Sequence, residues 1–306
     1  MSLLRIEFLG DFRLFRGDVR LRGFPTATAR ALFSYLVVHR NRLHDRSVLA
    51  GTFWGDCSEA DARRSLRTNL WRVRRTLADA APGAEHALVV HDHQIGFNSS
   101  ADYWLDLEQF ELHLAAAARA ALRDVRCVEL ESAVRLYRGH LLEGVYEEWC
   151  VVEQARLKTL YLQALETLMY AAAERGDLHA GLAHGERLVA HDPLRETIHR
   201  ELMRLRFRLG ERGAAIRQFQ LCASRLREEL GVEPMRETIA LHAAIVAERA
   251  DSPSIGVLRE AEIAHGLIEV LRDSATQLER AANALRRSIR TIEGTGERPT
   301  ETPVTR

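Results

Sequence analysis

Three patterns predict a mainly α-helical protein with a small α+β region at its N-terminus. Residues 3–22 and 87–97 alternate apolar and polar side chains as strands do, and they bracket three helical stretches. From about Asp106 to Arg249 the apolar spacing is helical almost without interruption. Residues 256–292 then carry a heptad of apolar positions, which predicts one long C-terminal helix.

Taken in order, Leu4, Ile6 and Phe8 form one apolar face, continued by Phe12, Leu14, Val19 and Leu21, with Gly10-Asp11 and Gly17-Asp18 as turns. A helix over 28–39 buries Ala31, Leu32, Tyr35 and Leu36. Asp45 is placed to cap a short helix over 46–53 that stops at Gly55, and Ser58 with Asp61 forms a capping box for the next one. In that third helix Ala62, Leu66, Leu70, Val73 and Leu77 recur along one face. After Pro82-Gly83, residues 87–97 read as a β-hairpin with a polar tip. Strands, three helices with an arginine-rich third, and a hairpin make a winged helix-turn-helix over residues 1–100. In such a domain the third helix suits the major groove and the hairpin reaches the flanking backbone or minor groove.

Residues 101–250 read as a TPR-like all-α helical-repeat domain. Helices are expected over 127–137, 147–175, 178–191, 194–209, 213–230 and 235–249, broken at Gly176-Asp177, Asp192-Pro193, Gly210 and Gly231-Val232-Glu233-Pro234. Helix pairs of this kind cannot bury their apolar faces singly, so they stack into a solenoid with a concave surface. Beyond them, Ala261, Ala264, Ile268, Leu271, Ala275, Leu278, Ala282, Leu285, Ile289 and Ile292 step alternately by three and four. This 256–292 helix either joins a second copy into a homodimer or lies back on the solenoid as a cap. Residues 293–306, rich in Gly, Thr, Pro and Glu, read as a disordered tail.

At 306 residues the chain is long enough for two domains. Its formal net charge is zero, but residues 1–100 hold 15 Arg against 10 Asp and Glu, so a +5 region adjoins a −5 remainder. That asymmetry fits a nucleic-acid reader joined to a protein-interaction module. Cys57, Cys127, Cys150 and Cys222 are widely spaced and form no CxxC, which argues for a reducing, cytoplasmic setting rather than a disulfide or zinc framework. The N-terminus lacks the apolar core of a signal peptide, and no apolar run reaches the ~18–20 residues of a membrane span. No GxSxG, HExxH, glycine-rich phosphate loop or EF-hand occurs, so nothing calls for an enzyme or a cofactor. His91-Asp92-His93 lacks a fourth ligand for a metal ion.

The third helix concentrates the chemistry. Residues 62–75 contain six arginines, and Arg64, Thr68, Trp71 and Arg75 point away from the apolar stripe, with Arg67 and Arg72 on its flanks. Between Arg63 and Arg75 no Asp or Glu interrupts them, unlike a salt-bridge-laced surface helix. Arg64 and Thr68 are the base-reading candidates, for guanine O6/N7 and a thymine methyl, with Arg67 and Trp71 next. Trp71 either packs on sugars and thymine methyls or sits partly buried under the wing. Arg72, Arg74 and Arg75 are placed for phosphates, and Arg63 is placed to pair with Asp61 or Glu59. His93 and Gln94 in the hairpin are candidate backbone contacts, as are Arg46 and Arg30 near helix N-termini.

Leu9-Gly10-Asp11-Phe12, Ala29-Arg30-Ala31-Leu32, Phe53-Trp54-Gly55-Asp56 and Ala62-Arg63-Arg64-Ser65-Leu66-Arg67 resemble the OmpR-like winged helix of the SARP family of bacterial antibiotic-regulatory activators. Downstream, the run Leu136-Tyr137-Arg138-Gly139-His140-Leu141-Leu142-Glu143-Gly144 and Trp149 are similar to the bacterial transcriptional activator domain (BTAD) of that family. Asp192-Pro193-Leu194-Arg195-Glu196 and Leu230-Gly231-Val232-Glu233-Pro234 extend the likeness. The resemblance spans about residues 3–249. It implies a transcriptional activator that binds direct repeats of double-stranded DNA near promoters as a head-to-tail dimer and recruits RNA polymerase holoenzyme. Trp71 departs from the small polar residue more often found there. The ATPase or phosphopeptide-binding module of larger relatives is not expected, since the chain has no GxxxxGK[ST] and is too short for either. The other readings are a protein-interaction scaffold, or a ligand-sensing regulator, whose basic helix grips an acidic partner; salt-dependent, sequence-selective duplex binding separates these from the first.

Overall fold

The computed structural model describes residues 4–80 and 84–247. The heptad segment 256–292 and the tail 293–306 lie outside the described residues. In chain order come β1 (Leu4–Glu7), β2 (Arg13–Arg16), β3 (Val19–Arg20), α1 (Ala27–Val38), β4 (His44–Asp45), α2 (Arg46–Trp54) and α3 (Glu59–Ala80). Then follow β5 (Leu88–His91), β6 (Gln94–Phe97), β7 (Tyr103–Leu105), α4 (Asp106–Arg119), α5 (Arg123–Leu136), α6 (Glu148–Arg175) and α7 (Leu178–His191). The last are α8 (Glu196–Arg208), α9 (Arg212–Leu230) and α10 (Arg236–Val246). The chain divides into two compact units after Asp192.

The expected strand–helix–hairpin order is present. β1, β2 and β3 form an antiparallel meander, with Ile6 opposite Leu14, and Ile6, Phe8 and Leu14 all buried. Thr26 caps α1 by accepting from the Ala29 amide at 3.1 Å, so the helix starts slightly before the apolar stripe suggests. Phe8, Phe12, Phe24, Phe33 and Phe97 pack in a chain of ring contacts 4.9–6.5 Å apart beneath the sheet. Asp45 occupies the N-cap position of α2, but its side chain makes no capping bond. Two strands escape the sequence pattern because they are too short to show a period. One is β4, which pairs with β6 (His44 opposite Ile95) and adds a third strand to the β5–β6 hairpin. Gly96 allows this, since a Cβ there would meet Leu43 Cδ2 at 2.7 Å.

The other is β7, which runs parallel to β1, with Leu4 opposite Tyr103, and closes the sheet in the order β3-β2-β1-β7. Asp106, the first residue of α4, is fully buried and accepts hydrogen bonds from the amides of Phe8 (2.8 Å), Leu9 (3.0 Å) and Leu107 (2.8 Å). Arg138 reaches the same carboxylate at 3.0 Å and Glu7 at 2.9 Å. Burial pushes the Asp106 carboxyl up to about 6, against the pull of those amides and of Arg138. Nearby the backbones cross directly: Gly10 donates to His140 (2.9 Å), Leu142 to Phe8 (2.7 Å) and Glu143 to Gly10 (3.0 Å). Gly10 has φ +113°, and a Cβ on Gly139 would lie 3.2 Å from Gly10 Cα, so the crossing needs glycine on both sides. The two sequence motifs at 9–12 and 136–144 are therefore the two halves of one joint.

The helices of the first unit pair as α4 with α5 and α6 with α7. Asp177 caps α7 by accepting from the Ala180 amide at 3.1 Å. Trp149 of α6 packs edge-on against Tyr35 of α1, with 5.3 Å between ring centroids. In the second unit, Met203, Ala215, Leu241 and Ile245 form the core of α8, α9 and α10, flanked by Phe207, Ile216 and Phe219. Glu196 starts α8 and accepts from the Met235 amide (2.9 Å) and the Thr238 hydroxyl (2.6 Å), fastening the beginning of α10. Glu196, the last residue of the motif at 192–196, thus holds the start of α10 just after the motif at 230–234, a structural role that the sequence spacing does not reveal.

Candidate nucleic-acid interface

α3 owes its position to one buried stripe. Ala62, Leu66, Leu70, Val73 and Leu77 are all buried, as the spacing predicts, and Asn69 joins them. At about 1.5–3 kcal/mol per fully buried aliphatic side chain, the stripe fixes which face is left outward. Ser58 accepts from the Asp61 amide at 3.2 Å and donates its hydroxyl to the Asp61 carboxylate at 2.7 Å, so the box closes through side chains at the helix start.

Arg64, Thr68, Trp71 and Arg75 are exposed on the outward face, Arg67 and Arg74 are exposed to one side of it, and Arg72 is half-buried on the other flank. The arginines differ in their neighbours. Arg63 pairs with Glu59, and Arg64 has Asp61 at 3.6 Å. Arg75 has Asp79 at 4.0 Å, while Arg67 and Arg74 have no acidic partner among the described residues. The acids sit one turn beyond the arginine run at either end, which explains why the run itself looks uninterrupted in sequence. Exposed pairs of this kind contribute little and exchange easily for a phosphate. The Thr68 hydroxyl donates to the Arg64 carbonyl at 3.0 Å, leaving its methyl to face outward chemistry.

On one side of α3 a hollow of about 390 Å³ is lined by Arg63, Arg67, Arg46, Ser47, His93 and the carboxylate-bearing Asp45. The wing and α2 are tied together here: the Arg46 amide donates to the His93 carbonyl at 2.9 Å, and Gln94 pairs with Asp45. Arg46, His93 and Gln94 are all exposed, so the N-terminus of α2 and the hairpin tip border α3 from the same side.

Trp71 lies on the opposite side, 58% exposed, and not under the wing. It borders a second hollow with Arg22, Pro25, Arg72, Arg75 and, at one end, Asp79, and the Arg75 guanidinium stands 5.3 Å over its ring. Arg22 is absent from the candidates that the helical pattern picks out, because it sits on the loop after β3. The available signal was the recurrence of arginine at 13, 16, 20 and 22.

His44 anchors the wing strand from beneath. It is buried, in ring contact with Tyr35 (4.9 Å) and His39 (5.8 Å). Burial, then Arg42 and His39, push its imidazole down to about 4, so it is neutral at pH 7.

Residues 105–246 match the model of the family described as "Bacterial transcriptional activator domain". The chain is similar to the transcriptional regulatory protein MoaR1 of Mycobacterium tuberculosis, with 30% identity over 241 residues, covering 76% of this chain and 77% of MoaR1. It is 29% identical to the transcriptional regulator RedD of Streptomyces coelicolor, covering 74% and 66%. It is 28% identical to the regulatory protein AfsR of the same organism, of which it spans 23%. Among solved structures, Mycobacterium tuberculosis EmbR in complex with a low-affinity phosphopeptide shares the fold, with TM-score 0.63, 21% identity, and coverage of 81% of this chain and 66% of that one.

Proposed function

Because the chain belongs to the SARP family of bacterial transcriptional regulators, we propose that it is a sequence-specific, DNA-binding activator that recruits RNA polymerase holoenzyme to promoters in the cytoplasm. The observation that carries this reading is the outward face of α3, rich in arginine and bordered on one side by the wing tip and the start of α2. In the proposed division, residues 1–100 hold the reader and 101–250 the activator domain. Arg64 and Thr68 meet base edges, with Arg67 beside them. Arg72, Arg74, Arg75, Arg46, His93 and Gln94 hold the backbone. Trp71, with Arg75 stacked on it, packs against sugars at the groove edge.

Two substitutions test the division. Arg64→Ala is expected to cost about 1–3 kcal/mol on the operator and to relax its sequence preference, with little change on random DNA. Arg75→Ala should weaken binding to every sequence and flatten the salt dependence by about one phosphate. Protection mapping followed by titrations on operator and random duplexes reads both; equal effects of the two variants on both DNAs would sink the assignment.

We propose further that the 256–292 segment joins two copies on a direct repeat. A chain ending at Ser254 is then expected to sediment as a monomer in analytical ultracentrifugation while the full chain sediments as a dimer; a truncated chain that stays dimeric refutes this.

A further inference from the structure

The positive surface does not end at α3. The hollow beside Trp71 shares Leu21, Gly23 and Pro25 with a neighbouring one of about 350 Å³, set between β2, β3 and the start of α1. Arg13, Arg20 and Arg30 line this second hollow, and no Asp or Glu does. Arg13 has Asp11 at 3.5 Å, outside the lining, whereas Arg20 and Arg30 have no acidic partner within 4 Å among the described residues. The Nε atoms of Arg13 and Arg30 are buried without a hydrogen-bond partner. α1 begins at the same place and has no acidic residue in its first turn. Three guanidinium groups around one small hollow repel one another unless an anion lies between them. Their planar forks suit phosphate oxygens.

The hollow is also mechanically joined to the reading helix. The Thr26 hydroxyl, on the hollow's rim, donates to the Asn69 side chain of α3 at 3.3 Å, and Asn69 in turn takes Arg72 at 3.5 Å. A duplex lying on α3 therefore has this arginine trio next along the same surface, past Trp71, Arg72 and Arg22.

We propose that Arg13, Arg20 and Arg30 form a clamp for the phosphates of duplex DNA flanking the stretch held by α3, on the side away from the wing. The clamp rests on the DNA-binding reading above and adds a contact area to it. Such a clamp contributes affinity and salt dependence without sequence preference, since it meets backbone alone.

The test is a salt titration of the full chain on a random-sequence duplex several helical turns long, followed by fluorescence anisotropy. The Arg20→Ala, Arg30→Gln double variant should lower the slope of log K against log salt by about 0.9 per lost phosphate, nearly two units in all. Arg20→Ala alone should remove about half of that. Because Arg20 is exposed on a short strand, this single variant keeps the test sound if Arg30 proves needed for folding, which unfolding midpoints will show. The charge-matched Arg119→Ala, Arg135→Ala control, on α4 and α5, should leave the slope unchanged. Unchanged slope and affinity in Arg20→Ala and in the double variant, with wild-type binding intact, overturns the clamp and leaves the DNA-binding reading standing. No duplex binding by the wild type overturns that reading and the clamp with it.

Discussion

Replacing Asp106 by alanine is expected to lower the unfolding free energy of the first unit by about 3–5 kcal/mol, as read by urea unfolding. The amides of Phe8 and Leu9 belong to fully buried residues and have this carboxylate as their acceptor. Removing it strands these two donors and the Leu107 amide in an interior that water does not reach, at about 1–3 kcal/mol each. It also leaves Glu7 as the remaining carboxylate for Arg138. Asp106→Asn should cost less, since one oxygen remains as an acceptor. Arg138→Ala should cost less still, because that side chain is 39% exposed and water replaces its bonds. An alanine variant within about 0.5 kcal/mol of wild type would show that the joint between the N-terminal sheet and α4 is not held at this residue.

Acidification is expected to loosen the wing anchor through His44. Its imidazole is pushed down to about 4 in the folded state, from 6.5, by burial and by the nearby charges of Arg42 and His39. The unfolded chain therefore binds more protons between those values. The stability His44 contributes is present above pH 6.5 and is lost as pH falls toward 4, by about 3 kcal/mol in total at 1.36 kcal/mol per unit. Asp106 acts in the opposite sense. Its carboxyl is raised to about 6, so its contribution is present below 3.8 and lost as pH rises through 6. The two partly cancel in the wild type. His44→Phe keeps a ring against Tyr35 and removes the titration, so between pH 7 and 4 it should lose about 3 kcal/mol less than wild type. Parallel pH profiles for the two proteins would refute this account.

How much of this was legible beforehand depends on the range of each interaction. α3 and its outward arginines could be read from Ala62, Leu66, Leu70, Val73 and Leu77 because a helix writes its period into adjacent turns. Most helix bounds downstream fall within a few residues of expectation for the same reason. β7 and β4 could not be read, since strands of three and two residues have no period and exist only through partners elsewhere in the chain. Asp106 looks like any acidic residue opening a helix until Phe8 and Leu9 fold onto it. The exposure of Trp71 depends on the path of the Leu21–Pro25 loop, and the helix alone leaves both of its alternatives open.

The parallel strand β7 has a consequence for how the protein is made and re-engineered. β1 finds its second neighbour only after residue 103 has left the ribosome, and the Arg138 clasp forms later still. Until then its outer edge presents unpaired amides to any passing strand. A chimera that transplants residues 1–100 onto a foreign activator would carry that raw edge permanently, and would be expected to aggregate. Cutting after Gly144 instead would carry both the fourth strand and its clasp along with the N-terminal sheet.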